Sequence, residues 1–239
     1  MSGIKLERIP LNGRSLAEYC AIFGLDDGPL SGKRILDLAS GPSSFAAEAT
    51  AKGARVTALD PAYALPPHEI ARQSLDQIAT IRKKMEPAQD GYRWDFYKNP
   101  DHLKACREAV SNRFLADYQK APLGRYVAGA LPQLPFGDNA FDLALCSHFL
   151  FLFADRLDHR FHLESLLAMT RVSSGVSLVY PVVGLEGKPY GAMGQLIGEL
   201  AEHGVEARLE KTDFEFLIGA THMLKLGKPA DPSQAPSSP

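Results

Sequence analysis

The chain has 239 residues, of which 45% are hydrophobic and 23% are charged. This composition is typical of a folded globular protein and excludes wholesale disorder, and the length suits one large α/β domain or a core domain with an insertion. A formal net charge of −2 provides no general attraction to nucleic acid or to an anionic membrane.

The cysteines and the apolar segments indicate the compartment. Cys20, Cys106 and Cys146 are widely separated and form no paired framework, so they predict free thiols in a reducing compartment. No apolar run reaches the ~18 residues needed to span a bilayer, and the amino-terminal MSGIKLERIP has no apolar signal segment. We therefore expect a cytoplasmic protein that neither spans a membrane nor binds nucleic acid. The sequence carries no signal for an oligomeric state.

The first predicted helix begins after an irregular segment, residues 1–14. Ser15 is a predicted N-cap, and Glu18 three residues later completes a capping-box pattern. Apolar residues then recur at helical spacing until Gly24, which is expected to end the helix.

A βαβ unit is predicted next. Residues 34–39 form a short apolar run bounded by glycines, as in a central parallel strand that is covered on both faces. The segment FAAEATAKG indicates a helix, and residues 55–59 form a second strand that ends at Asp60. Strand, turn, helix and strand in this order predict a right-handed parallel unit.

The pattern changes between residues 62 and 124. Apolar residues recur at helical spacing over 68–85 and again over 102–121, which predicts two amphipathic helices. An aromatic loop, GYRWDFYKNP, joins them. We interpret this region as a helical cap inserted over the sheet.

Alternating strand and helix signals return after the insertion. Strands are predicted at 126–130, 142–146 and 175–183, helices at 155–171 and 190–203, and a final pair of strands at 206–212 and 221–226. The Pro/Ser-rich tail, 228–239, is predicted to be disordered. The expected fold is a single α/β domain over 1–227 with a doubly wound, Rossmann-like sheet, mostly parallel with an antiparallel final strand, plus the helical insertion at about 62–124.

The turn after the first strand predicts a nucleotide-like ligand. Its small residues Ala39, Ser40 and Gly41 leave room for a ligand against the backbone at the carboxyl end of the strand. Asp60 follows Gly41 by about 20 residues, where an acidic residue accepts hydrogen bonds from ribose hydroxyls.

Two segments carry a resemblance to a known family. DLASGPSSF and GALPQLPFGDNAFDLALCSHFLFLF resemble motifs of class I S-adenosylmethionine-dependent methyltransferases, in particular the bacterial type 11-like group. The resemblance covers residues 34–61 and 125–180. It implies a methyltransferase sheet and S-adenosyl-L-methionine as cofactor.

The same resemblance implies which residues bind the cofactor. They are Asp37, Ala39, Ser40 and Gly41 at the methionine end, Asp60 and Pro61 at the ribose, Ala130 and Leu131 at the adenine, and Ser147 beside the transferring methyl group. If a general base is needed, His148 is the favoured residue, with Tyr19 or Tyr180 as further candidates.

The chain departs from the family pattern at two places. Ala39 and Ser43 stand where glycine is usual; both are small, so the loop is expected to be retained if their φ angles are negative. Ala130 stands where an aspartate often binds the adenine amino group, which predicts weaker cofactor binding or another partner for that group.

Acceptor selection is predicted to reside in the insertion. Its aromatic loop holds Trp94 and Tyr97, which we expect to contact the acceptor. Arg93 and Lys98 in the same loop favour an apolar or planar small molecule that carries negative charge.

Methyl transfer to an unidentified small-molecule acceptor is therefore the expected activity. A degenerate methyltransferase fold that binds a cofactor or partner without turnover is the alternative. An NAD(P)-dependent oxidoreductase comes third, because G-x-G-x-x-G is absent. The histidine spacing indicates no metal site.

Overall fold

The computed structural model describes residues 9–25 and 30–228. Its strands β1 to β7 span Arg34–Leu38, Arg55–Leu59, Tyr126–Val127, Phe141–Ser147, Ser173–Tyr180, Glu206–Lys211 and His222–Gly227. Its helices α1 to α6 span Leu16–Phe23, Phe45–Ala51, Pro67–Met85, Pro100–Tyr118, His159–Val172 and Met193–Glu202. Apart from Lys228, the predicted disordered tail lies outside the described residues.

One seven-stranded sheet forms the centre of the described chain, in the order β3-β2-β1-β4-β5-β7-β6. The strands from β3 to β5 pair in parallel. Strand β7 pairs antiparallel with both β5 and β6. The predicted fold class, a mostly parallel Rossmann-like sheet with an antiparallel final strand, is confirmed.

Each face of the sheet carries its own hydrophobic core. One core contains buried residues of α1 and α2 together with residues of α3 and α4. The other contains buried residues of α5 and α6. Buried residues on both sides of the central strands explain why β1 is a continuous apolar run. None of the helices in the described residues is both long and apolar enough to cross a membrane.

Helix starts follow local capping chemistry. The predicted capping box of α1 is present: the Glu18 amide donates to the Ser15 hydroxyl, and the Ser15 amide donates to the Glu18 carboxylate. Helix α4 begins two residues earlier than predicted, because Pro100 suits the first turn and Asn99 accepts from the His102 amide at 2.8 Å.

Two other elements are shorter than predicted. The predicted helix at 155–171 begins only at His159, because Asp158 caps the Phe161 amide at 2.7 Å. The predicted strand at 126–130 contains only Tyr126–Val127, after which the chain turns over the end of β2 and the Gly129 amide donates to the Asp60 carbonyl.

A buried polar network connects α1 to the insertion. Arg107 of α4 donates to the Glu18 carboxylate at 2.6 Å and to the Tyr97 hydroxyl at 2.8 Å, and that hydroxyl also donates to Glu18. Arg14 lies 3.7 Å from the same carboxylate. Glu18, Tyr97 and Arg107 are all buried. The network therefore holds two segments that are about 90 residues apart in sequence against each other.

We predict that Glu18→Gln strongly destabilises the protein. The substitution leaves the Arg107 guanidinium buried without its charge partner, and breaking a buried pair in this way costs about 3–5 kcal/mol. Urea unfolding measures the loss. Glu69→Gln is the matched control, because Glu69 pairs with Arg72 on the exposed side of α3 and its loss is expected to leave the midpoint close to that of the wild type. Equal midpoints for the two variants would contradict the role given to the network.

Candidate functional site

A cavity of about 600 Å³ opens at the carboxyl ends of the parallel strands. Ligands in open α/β sheets bind at this edge. The wall is built by three parts of the chain: the loops after the strands, the amino-terminal segment 9–14, and the insertion. Of the predicted site residues, the wall contains Ala39, Gly41, Asp60, Pro61, Ala130, Leu131, Ser147 and His148.

The loop after β1 lies at one side of this cavity in an unusual conformation. Gly41 has φ +53°, in the left-handed region that glycine adopts freely, and Ala39 has φ +51°. Ala39 therefore does not meet the condition of a negative φ, whereas Ser43 has no left-handed φ. An L-residue in this region costs about 1–2 kcal/mol. Ala39 thus adopts a backbone conformation that glycine would adopt without this cost.

Contacts from the amino-terminal segment hold the loop in place. A β-carbon on Gly13 would lie 2.1 Å from the Pro42 carbonyl oxygen, so only glycine permits this approach. The Ser43 hydroxyl and the Ser44 amide both donate to the Arg14 carbonyl, at 2.6 and 3.1 Å. The loop is therefore fixed from outside as well as by its own sequence.

Asp60 links the ends of β1 and β2. Its carboxylate accepts from the Gly41 amide at 2.9 Å and from the Ala62 amide at 2.8 Å. Tyr63 donates to the Gly41 carbonyl at 2.7 Å and tightens the same link. Burial raises the pKa of Asp60, and the two amide hydrogen bonds oppose that rise. The two halves of the predicted nucleotide site are thus joined directly.

Asp37 lies buried beneath the loop rather than in the cavity wall. Its carboxyl group accepts from the Tyr19 hydroxyl at 2.7 Å and from the Ser40 hydroxyl at 2.5 Å. Burial raises the pKa of Asp37 to about 7, while the hydrogen bonds from Ser40 and Tyr19 lower it. Asp37 and Ser40 therefore shape the loop from below.

Tyr19 does not have the position of a catalytic base. Its side chain is buried, its ring stacks on Phe45 at 4.2 Å, and it is absent from the cavity wall. Burial and the neighbouring Asp37 raise its pKa well above 10. Its hydroxyl is used as a donor to Asp37, so we withdraw the catalytic role and assign Tyr19 a positioning role for the loop.

His148 lies in the cavity wall immediately after β4. Its φ of +56° is left-handed, and its amide donates to the Tyr180 carbonyl at 2.5 Å. Nδ1 lies 2.8 Å from the Ser147 hydroxyl. Burial, followed by Arg14 and Arg107, lowers the pKa of His148 well below 6.5. The imidazole is therefore neutral at pH 7, which is the form that accepts a proton.

The predicted acceptor residues lie behind the wall. Trp94 donates to the Gln89 carbonyl at 3.2 Å and packs edge-on against Phe216 at 5.4 Å. Tyr97 is fully buried in the polar network. The structure instead brings Phe216 and Tyr92 to the cavity. Neither Trp94 nor Tyr97 lines the cavity, so the structure does not bring these two predicted acceptor residues to it.

The expected charged residues of the aromatic loop are also absent from the wall. Arg93 pairs with Glu215 at 3.3 Å, and neither Arg93 nor Lys98 lines the cavity. Arg14 and Arg107, which the sequence analysis missed, line it instead. One signal was present: Arg107 interrupts an apolar helical stripe formed by Leu103, Val110 and Phe114. A cation on such a stripe is buried only with partners or beside a ligand.

No group of three metal-ligating side chains occurs within residues 9–25 and 30–228. The polar groups of the cavity wall include one carboxylate, that of Asp60, together with arginine and lysine side chains and the neutral imidazole of His148, and the rest of the lining is mostly apolar.

Comparison with known proteins gives one relative over nearly the whole chain. No family model matches. The uncharacterized protein MJ0045 of Methanocaldococcus jannaschii is 33% identical over 225 residues, which cover 94% of this chain and 98% of the relative.

Solved structures with a similar fold include several methyltransferases. Magnesium protoporphyrin IX methyltransferase of Synechocystis PCC 6803, solved with bound SAM, is 12% identical with a TM-score of 0.47, covering 88% of this chain and 76% of its own. A putative S-adenosyl-L-methionine-dependent methyltransferase of Methanococcus maripaludis is 12% identical with a TM-score of 0.44, covering 89% and 83%. A Burkholderia thailandensis 1,6-didemethyltoxoflavin-N1-methyltransferase is 13% identical with a TM-score of 0.42, covering 88% and 74%. Because none of these three TM-scores reaches 0.5, we infer nothing about the acceptor from them.

We predict that Asp37 makes stability depend on pH. The pKa of Asp37 is about 7 in the folded chain, against an ordinary value of 3.8. Between these two pH values, the folded chain keeps a proton on Asp37 that the unfolded chain releases. The contribution of Asp37 to the free energy of unfolding therefore falls as pH rises from about 4 to about 7, and roughly 2–3 kcal/mol is lost between pH 5 and 8. Asp37→Asn removes this titration.

Urea unfolding of both proteins at pH 5 and pH 8 measures the effect. The stability of Asp37→Asn relative to the wild type is expected to be about 2–3 kcal/mol more favourable at pH 8 than at pH 5. A relative stability that stays constant between the two pH values would show that Asp37 is ionised in the folded chain throughout this range.

Proposed function

The chain belongs to the same family as the protein MJ0045 of Methanocaldococcus jannaschii, and we propose that it transfers a methyl group from S-adenosyl-L-methionine to a small-molecule acceptor. The proposal rests on the fold, on the motifs that resemble class I methyltransferases, and on the cavity at the carboxyl ends of β1, β2 and β4.

The link between Gly41 and Asp60 is the observation that carries the proposal. An ionised carboxylate has about four acceptor positions. The Gly41 and Ala62 amides use two of them, and a pair of ribose hydroxyls suits the remaining positions. The carboxylate lies in the cavity wall beside a loop that presents no large side chain. These residues fit an adenosyl group joined to a methionine chain.

The other parts of the wall suit the remaining tasks of methyl transfer. The cofactor supplies a methyl group that its sulfonium centre has already activated. The protein must align the acceptor, exclude water and, for an acidic acceptor group, remove a proton. His148 at the end of β4 is neutral and can accept that proton, but its lowered pKa makes it a weak base that suits only an acidic acceptor group. The apolar side chains of α3 exclude water.

A non-catalytic module is the second candidate, and Ala130 favours it. Ala130 lines the cavity where we expect the adenine, and its methyl side chain offers no acceptor for the amino group. A module of this kind binds the cofactor without turnover. Incubation with methyl-labelled cofactor and a pool of small metabolites separates the two candidates, because only an enzyme transfers the label.

Calorimetry with S-adenosylhomocysteine and NADH side by side tests the cofactor class. We expect binding heat with the first and none with the second. Binding of NADH alone would overturn the proposal in favour of an oxidoreductase.

We predict that Asp60→Ala weakens S-adenosylhomocysteine binding at least about tenfold. Hydrogen bonds to a charged group contribute about 1.5–3 kcal/mol, and the variant also releases the Gly41 amide. Calorimetry gives the affinity, and circular dichroism verifies folding. Asp95→Ala, an exposed change outside the cavity, is the control and is expected to bind as the wild type does. Unchanged affinity in a folded Asp60→Ala protein would refute the placement of the ribose.

We predict that Ala130→Asp tightens S-adenosylhomocysteine binding by about threefold to tenfold, because the new carboxylate offers an acceptor to the adenine amino group. Ala130 is exposed in the cavity wall, so the larger side chain has room. Ala128→Asp is the matched control: it adds the same charge two residues away, outside the wall, and is expected to have no effect. Weaker binding in Ala130→Asp alone would mean that the amino group already has another partner.

A further inference from the structure

Two buried guanidinium groups share one carboxylate at the cavity. Arg107 and Arg14 both line the wall, and Glu18 is their common partner, at 2.6 and 3.7 Å. The Arg107 side chain is 5% exposed and that of Arg14 is 11% exposed. The hydroxyl of Tyr97 adds hydrogen bonds to this cluster but no charge of its own. The cluster therefore carries a surplus of one positive charge.

One N–H group of each arginine in the cluster also donates no hydrogen bond. The Nε atoms of both arginines are buried and neither has a hydrogen-bond partner. The Arg14 Nε is the atom that lies 3.7 Å from the Glu18 carboxylate, beyond hydrogen-bonding distance. Buried donors without partners are rare in folded proteins, because each forfeits its hydrogen bonds to water. Such donors next to a cavity are typical of a ligand site.

The groups next to the cluster do not neutralise its surplus positive charge. His148, which both arginines influence, is neutral and contributes no charge. The other cations of the insertion at this cavity already have carboxylate partners: Arg82 pairs with Asp101, and Lys104 pairs with Glu108. An anion that enters the cavity therefore finds Arg14 and Arg107 as the buried charges open to it.

The rest of the wall near the insertion is apolar. Helix α3 contributes Ile78, Ile81 and Met85, while Tyr92 and Phe216 add aromatic rings. This surface suits a ring or a hydrocarbon body and does not suit a strongly polar one.

We propose that the methyl acceptor is an apolar carboxylic acid, whose carboxylate binds Arg14 and Arg107 while its body lies against the apolar side chains of the insertion. The inference rests on the proposed function, because it treats this ligand as the acceptor. Guanidinium groups bind carboxylates through paired, charge-assisted hydrogen bonds, and a bound carboxylate balances the surplus charge. The methionine carboxylate of the cofactor is the other source of the same chemistry, and the experiment separates the two.

The test uses matched acids and amides as probes. Benzoate with benzamide, and 2-naphthoate with 2-naphthamide, are titrated by calorimetry into the wild type with and without saturating S-adenosylhomocysteine. We expect at least one acid to bind at least tenfold more tightly than its amide in both conditions. Arg107→Met should remove that preference and keep S-adenosylhomocysteine affinity within threefold. Arg93→Met is the control, since Arg93 lies outside the cavity, and it should behave as the wild type does.

The other outcomes distinguish a failure of the anion site from a failure of the proposed methyltransferase function. Equal binding of acid and amide, or no binding of either acid, overturns the anion site. If Arg107→Met still prefers the acid to its amide but binds S-adenosylhomocysteine tenfold more weakly, Arg107 binds the cofactor's carboxylate and not that of the acceptor. A wild type that prefers the acids but does not bind S-adenosylhomocysteine refutes the methyltransferase and leaves the anion site standing. If Arg107→Met fails to fold, Arg14→Met takes its place, and the wild-type comparison still decides.

Discussion

The Glu18 carboxylate is the interaction on which the site depends. It belongs to the first helix, yet its partners come from the insertion and from the segment before that helix. Without a buried anion there, two guanidinium groups would repel each other in a medium that screens them poorly. Burial, followed by the charge of Arg107, lowers the pKa of Arg14, whereas, against its burial, Glu18 and Tyr97 raise the pKa of Arg107. Glu18 thus permits two cations to stand at one edge of the cavity.

Two of the four left-handed non-glycine residues in the described part of the chain lie at the same edge. Ala39 and His148 are both left-handed residues with a β-carbon, and they follow the adjacent strands β1 and β4. Such conformations persist only where the surroundings determine them, and they cluster at functional sites. Here the surroundings are the Gly13 contact on the loop and the hydrogen bond from the His148 amide to Tyr180. Two strained residues at the ends of neighbouring strands mark this edge independently of any motif.

The sequence predicted the sheet well, because strand and helix periods are local properties. It also predicted the Gly41 and Asp60 pair, since both lie within one βαβ unit. It could not place Arg14 beside Arg107, because tertiary packing alone brings together residues so far apart in sequence. Trp94 shows the opposite limit: an aromatic loop indicates a binding surface, but composition does not reveal which rings face inward. The rings that line the cavity are those of Tyr92 and Phe216. These two residues come from distant segments, which meet at an isolated β-bridge between Tyr92 and Leu217.

The amino-terminal segment has a practical consequence for work with this protein. Residues 9–12 and Arg14 are part of the cavity wall, Gly13 presses on the loop after β1, and the Leu11 amide reaches Gln77 of α3 at 2.5 Å. The segment from Ile9 to Arg14 therefore belongs to the cavity and is not a peripheral extension of the fold. Trimming residues 9–12 to aid crystallisation would remove part of the cavity wall itself.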